Sequence, residues 1–243
     1  MTTPMKTRQV IRGIFGISTS IALAMVAKAE SDITWQTPTT ISGPSDVNNS
    51  GSLLGTWAPY NGAAASGGLV VNGVNFNAFP TLPGATDTFD NGGGNGTFAT
   101  PSTSDNNYNN LLNAGAFGNT SNPYTITWNG MTQGDTYLVQ LWVNDGRNAT
   151  VNARNETITG GANTSLPLFY GSGSSGPGQF IIGTFVADSS LSETLTLSPD
   201  QAVIPSAQFN LIQVRDITSV PEPSAVALSL VGFGLLVGVY RKK

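Results

Sequence analysis

The sequence predicts an all-β protein, a β-sandwich of jelly-roll type with at most one or two short helices. Three observations point there. The middle of the chain is rich in Gly, Asn, Ser and Thr and poor in charge. Short runs of β-branched and aromatic residues alternate with polar ones and are bounded by turn residues. Sustained helical periodicity is missing from it.

The individual strands follow from these signals. Leu69-Val70-Val71 and Val74-Asn75-Phe76 flank Asn72-Gly73, the strongest short hairpin signal, although the pair also suits a plain loop tip. Tyr124 to Trp128 alternates and closes at Asn129-Gly130. Tyr137 to Val143 places Tyr137, Val139, Leu141 and Val143 on one face. Phe180 to Phe185 is a further apolar run. Glu193 to Leu197 alternates, with Leu195 and Leu197 directed inward, and Gln208 to Val214 is the last strand. One short helix is expected where Ser104 or Asp105 can accept the free N–H groups of a first turn. Tyr108, Leu111 and Leu112 then share a face, and Gly115 or Gly118 would end it. Asp90 to Gly96 and Gly171 to Gly178 read as surface loops.

The two ends differ from the middle. Lys6, Arg8 and Arg12 precede an uncharged apolar run, Gly13 to Ala27, and Ala27-Lys28-Ala29 fits a small-x-small cleavage site. Residues 1–29 therefore read as a secretory signal peptide, with Glu30 as the mature N-terminus. An uncut N-terminal anchor is the alternative. At the other end, Val220-Pro221-Glu222-Pro223 precedes Ser224 to Tyr240, which carries no charge, and Arg241-Lys242-Lys243 follows. That apolar stretch is at the lower limit for crossing a bilayer as a helix. The prolines block helix continuation upstream, and the basic tail belongs on the cytoplasmic side. The division is then 1–29 signal peptide, 30–217 sandwich domain and 218–243 terminal segment.

Charge and missing residue types exclude several functions. Seven of the ten basic residues lie in the end segments, which leaves Arg147, Arg154 and Arg215 against all 14 acids between Glu30 and Pro223. This stretch, net −11 and free of lysine, repels nucleic acid and anionic lipid. The chain has no cysteine and no histidine. Disulfides, thiol nucleophiles and Ser-His-Asp triads are thereby excluded. The remaining catalytic option is a carboxylate pair of glycosidase type. Glu156 and Glu193 are the glutamates available inside the domain, and each can equally face solvent from an alternating strand.

Candidate contacts with sugars are Trp57 and Tyr60 in one expected loop and Phe169 and Tyr170 in another. These aromatics would stack on sugar rings or else pack over the ends of the sandwich. Trp35, Trp128 and Trp142 lie in strand-like segments and read as core or sheet-face residues. Asn144, Asp145 and Arg147 follow a strand end, where they can bond sugar hydroxyls or form a turn with Arg147 paired to Asp145. Asp87, Asp90, Asn91 and Asn95 offer oxygens to Ca²⁺, as does Asp46 in another loop; a solvated polar loop is the alternative. No other cofactor is expected.

The C-terminal residues carry a resemblance. Val220-Pro221-Glu222-Pro223, the apolar segment and Arg241-Lys242-Lys243 resemble the PEP-CTERM sorting signal of Gram-negative bacteria that make exopolysaccharide. That resemblance implies an exosortase-type membrane enzyme cutting near Pro-Glu-Pro, an inner-membrane intermediate, and a final place on the cell surface or outside the cell. An ordinary C-terminal anchor is the alternative. Ile33-Thr34-Trp35, Ser45-Asp46-Val47, Val71 to Phe76, Tyr137 to Arg147 and Phe209 to Arg215 run in an order similar to that of galactose-binding-like jelly-roll surface proteins of environmental bacteria. This second resemblance implies the fold. The combined expectation is a non-enzymatic surface or matrix protein associated with exopolysaccharide. A carbohydrate-binding module for surface polysaccharide is the runner-up, and a glycan-active enzyme the third reading.

Overall fold

The structure, a computed structural model, describes residues 30–59, 67–90, 98, 103–147, 154–171, 177–200 and 206–218. Its centre is the strand β9, Thr136–Val143. The expected face of β9, Tyr137, Val139, Leu141 and Val143, lies in the main core. The opposite face is buried as well, because other elements cover it.

In the first sheet β9 pairs antiparallel with β13 (Gln179–Val186) on one side and β16 (Leu211–Asp216) on the other. Two short strands, β1 (Thr34–Trp35) and β2 (Thr39–Thr40), extend the β13 edge. The strand β3 (Ser52–Trp57) extends the β16 edge, with a register shift between Val214 and Arg215. The second sheet runs β11 (Asn163–Thr164), β10 (Asn155–Gly160), β14 (Ser192–Pro199), β8 (Tyr124–Asn129) and β6 (Thr86–Asp87), with β12 (Leu168–Phe169) also on β10. Its strands alternate as the sequence predicts. Tyr124, Ile126 and Trp128 of β8 and Leu195 and Leu197 of β14 point inward. They meet Val139, Leu141, Ile181, Phe185 and Ile212 of the first sheet to form the core of a sandwich.

A second core lies on the outer face of the first sheet. There α1 (Asn106–Leu112) and a hairpin of β4 (Leu69–Val71) and β5 (Val74–Phe76) pack over Trp142, Phe180 and Leu211. Phe76 meets the Trp142 ring edge-on at 5.8 Å. The hairpin turns as predicted, with Asn72 (φ 49°) and Gly73 (φ 78°) both left-handed. Asp105 caps α1 by accepting the Tyr108 N–H at 2.9 Å, and Tyr108, Leu111 and Leu112 are its buried face.

Two expectations are corrected here. The helix ends at Asn113, before Gly115, with a right-handed C-cap. Side chains from distant strands take over the usual role of a C-terminal glycine. Asn144 Nδ2 donates to Leu112 O (3.0 Å), and Asn210 Nδ2 donates to Leu112 O (3.0 Å) and Ala114 O (2.7 Å). The last strand is also not continuous. It breaks at Asn210, so that β15 (Gln208–Phe209) pairs with β7 (Ala116–Phe117) while β16 joins the first sheet.

Candidate functional site

The three residues at the end of β9 enter a buried polar network, not an exposed loop. Asn144 and Asp145 are fully buried. Asn144 accepts the Gly178 N–H at 3.0 Å and donates its own N–H to Asn210 Oδ1 at 2.7 Å. The expected pairing within this segment is present. Arg147 grips Asp145 with two bonds, Nε to Oδ1 at 2.8 Å and Nη2 to Oδ2 at 2.6 Å. That carboxylate holds the Arg147 guanidinium above its usual pKa, and the guanidinium also lies over the Phe98 ring at 5.0 Å.

The inner half of this network brings together residues far apart in the sequence. Arg154, 6% exposed, lies over the Tyr170 ring at 4.5 Å and faces Asp145 at 3.7 Å. Its Nη2 donates to Gln208 Oε1 at 2.8 Å. Tyr170 donates to Glu156 Oε2 at 2.6 Å, which also accepts the Gln208 N–H at 2.9 Å. Glu156 is completely enclosed, and desolvation raises its pKa to about 8, against the lowering pull of Tyr170, Gln208 and Arg154. The carboxyl is therefore largely protonated at neutral pH.

This arrangement corrects the sugar-contact expectations. Trp57 does not sit in a loop. It ends β3, is 5% exposed, and packs edge-on against Phe209 at 5.2 Å. Tyr170 is fully enclosed by the network, so neither ring has a face to offer a ligand. Asn144 and Asp145 are unreachable for the same reason, and only Arg147 of that segment touches solvent. Phe169 remains exposed. Tyr60 lies outside the described residues, as do Asn91, Asn95 and Val220 to Lys243.

The two glutamates do not face solvent either; both are fully buried. Glu156 shares its strand face with Ile158, and Glu193 shares its face with Leu195 and Leu197. That parity was readable in the sequence and marks both as inward. Glu156 sits opposite Pro199 on β14, whereas Glu193 is six residues back along the same strand. About 20 Å of strand separates them. Paired glycosidase carboxylates stand about 5–10 Å apart, so these two do not form such a pair.

The calcium candidates are engaged by neighbours. Asp87 is half-buried, which raises its pKa, and it accepts the Phe89 N–H at 2.8 Å. Asp90 accepts from the Tyr124 hydroxyl at 2.6 Å and the Asn119 N–H at 2.8 Å, and these bonds lower its pKa. Asp46 holds the Ser42 hydroxyl and N–H and the Gly43 N–H. Among the described residues no group of three or more acidic side chains is arranged to hold a metal.

An open groove lies where the edges of the two sheets meet. Ile33, Thr34, Trp35, Ala162, Asn163 and Thr164 line it. Its volume of about 420 Å³ is in the range of small-ligand sites. The Trp35 ring lies against Gly183, where an added Cβ would meet ring carbons at 2.7 Å. Its Nε1 donates to Asn163 O at 3.3 Å. The partly buried indole thus has a fixed orientation, with polar Thr34, Asn163 and Thr164 beside it.

No protein-family model matches the chain, and no curated protein does. Solved structures match parts of it. The ANX2 ectodomain of Arabidopsis thaliana is similar over 57% of this chain and 41% of its own, at 13% identity and a TM-score of 0.42. The CBM35 module from Cellvibrio japonicus is similar over 55% of this chain and 84% of its own, at 13% identity and a TM-score of 0.32. An exo-beta-1,3-galactanase from Phanerochaete chrysosporium is similar over 69% of this chain, at 14% identity and a TM-score of 0.30. The chain spans about two fifths of the ANX2 ectodomain and 30% of the galactanase. Likeness at this level is partial and adds no functional argument.

Proposed function

We propose that this chain is an exported, non-enzymatic surface or matrix protein, sorted through a PEP-CTERM/exosortase-type system and associated with exopolysaccharide. The observation that carries the reading is the pair of terminal segments around one domain. Ala27-Lys28-Ala29 closes an apolar run before it, and Val220 to Pro223 opens an uncharged run that ends in Arg241-Lys242-Lys243. The ordered sandwich fits between these marks. Its first strand starts at Thr34 and its last ends at Asp216. In the sequence, Pro-Glu-Pro therefore follows the last strand by a few residues.

Replacing Glu222 with alanine, or Pro221 or Pro223 with leucine, is expected to leave export intact and block processing. The variants should accumulate in the inner membrane as a slightly heavier form, seen by fractionation and mass spectrometry. Native processing and location of all three variants would leave an ordinary anchor and remove the link to exopolysaccharide.

A second reading, carbohydrate binding by the sandwich itself, is favoured by the Trp35 groove. An oriented indole beside hydroxyl and amide groups suits the apolar face and polar rim of a sugar ring. Retardation of the protein in gels containing the host's exopolysaccharide measures this. Trp35→Ala is expected to weaken binding about tenfold, a loss of ~1.4 kcal/mol, while Trp35→Phe keeps most of it. Equal retardation of native and Trp35→Ala protein, both folded by circular dichroism, would exclude the groove.

A further inference from the structure

Glu193 is a fully buried carboxyl whose charged neighbours are all acidic. It points inward from β14, fully enclosed, opposite Trp128 of β8. Neither of its oxygens has a hydrogen-bond partner, and the indole N–H of Trp128 is likewise unpartnered. The charged groups that bear on it are Glu30 and Asp188, both acidic. Burial first, then these two carboxylates, raises its pKa to about 8. A buried charge normally persists only with a partner, and the domain has few cations to give. It has no lysine and three arginines. Arg147 and Arg154 are bound at Asp145, and Arg215 donates to Ser50 O, Asn49 O and Gly51 O.

The chain entering the sandwich runs directly past this carboxyl. The Ser31 and Thr194 N–H groups bear on Glu193 and pull its pKa down against burial, although neither forms a hydrogen bond of full geometry. The segment is pinned there from three sides. Ser31 Oγ accepts the Asp188 N–H (3.2 Å), Asp32 Oδ1 accepts the Ala162 N–H (2.7 Å), and the Ile33 N–H donates to Gly160 O (3.3 Å). The α-nitrogen of Glu30 precedes the Ser31 nitrogen by one residue, and consecutive residues are spaced about 3.8 Å apart. It is therefore carried on the same pinned segment, one residue ahead of an N–H that bears on Glu193.

We propose that cutting the chain between Ala29 and Glu30 creates a fixed α-ammonium that pairs with the Glu193 carboxylate, so that removal of the leader itself locks the sandwich closed. The inference rests on the cleavage reading given above. A peptidase hydrolyses the Ala29–Glu30 amide bond. The water oxygen leaves on the Ala29 carboxyl, and the Glu30 nitrogen takes up a proton. While the leader is attached, that nitrogen is an uncharged amide and Glu193 remains protonated and unpaired. After the cut, an ammonium with an ordinary pKa of about 7.7–8.0 faces the acid. Each group then stabilises the charged form of the other.

The test uses the full chain to Lys243 in detergent, released from a fusion partner by a protease that leaves Glu30 first. A second version keeps Gly-Ser ahead of Glu30, and both are made with native Glu193 and with Glu193→Gln. The Gly-Ser extension is expected to lower the thermal midpoint by about 5–10 °C with native Glu193 and to change it little with Glu193→Gln. The α-amine of the Glu30-first chain should titrate above its ordinary range, and Glu193→Gln should return it there. Equal midpoints with and without the extension, or an equal drop in the Glu193→Gln background, would overturn the lock. N-terminal sequencing of the exported protein separates this from the cleavage reading, because a first residue other than Glu30 overturns that reading whichever way the midpoints fall.

Discussion

Replacing Arg154 with alanine is expected to destabilise the protein by about 3–5 kcal/mol, the usual cost of removing one partner from a buried charged network. Arg154 lies between three elements. It covers the Tyr170 ring after β12, donates to Gln208 of β15, and faces Asp145 just past β9. Its loss leaves Gln208 Oε1 without its donor and opens a space beside Tyr170. Arg147 makes shorter bonds to the same Asp145, yet its side chain is 44% exposed. Water can replace part of what it provides, so Arg147→Ala should cost less, about 1–2 kcal/mol. Urea unfolding at constant pH measures both. The midpoints should shift in that order with the slope unchanged. An Arg154→Ala midpoint no lower than that of Arg147→Ala would show that the inner arginine does not hold this end of the sandwich together.

This network also shows which parts of the structure local sequence can and cannot reveal. The β4–β5 hairpin was legible because Asn72-Gly73 sets its own dihedral angles. The start of α1 was legible because Asp105 bonds three residues ahead. The end of α1 was not, because its cap consists of amides from Asn144 and Asn210, far along the chain. Contacts across the break in the last strand explain the other misreadings nearby. Asn144-Asp145-Gly146-Arg147 has the composition of an exposed turn, and the Asp145–Arg147 pair did form. Its burial depends on Gln208 and Asn210, at the point where the last strand breaks. The alternation of β9 revealed one buried face. The second is buried by contact with α1 and the hairpin, and the apolar Leu138 and Trp142 that alternate with the first face carried that signal in the sequence. Trp57 was expected in a loop, yet its strand is fixed by pairing with β16. By contrast, the burial of Glu156 and Glu193 was misread as possible exposure, although their parity with Ile158, Leu195 and Leu197 marked it in the sequence.

The stability of the mature protein is expected to fall as pH rises from about 5 to about 8, by an amount on the order of a few kcal/mol. Glu156 is the main cause, and burial raises Glu193 and Asp87 in the same direction. In the unfolded chain the Glu156 carboxyl titrates near the ordinary glutamate value. In the folded protein, burial keeps its proton on until about pH 8. Between these values the folded state holds a proton that the unfolded state has released. Stability is therefore fully present below the unfolded pKa and is lost progressively as pH rises through the folded one. Most small proteins gain stability over the acid side of this range, because their carboxylates are better satisfied folded than unfolded. Asp90, with its pKa lowered by Tyr124 and Asn119, contributes in that ordinary direction. Thermal midpoints measured at fixed ionic strength across this range test the balance. Glu156→Gln keeps the shape of the side chain and removes the titrating proton, so its profile should decline less than the native one over this range. Tyr170→Phe should act the other way, because the Tyr170 hydroxyl lowers the Glu156 pKa by bonding its charged form. Without that bond the proton is held to still higher pH, and the decline should extend further upward. A native profile that is level or rising from pH 5 to 8, or one that Glu156→Gln leaves unchanged, would mean that Glu156 is ionised inside the sandwich and that Arg154 and Tyr170 outweigh its burial.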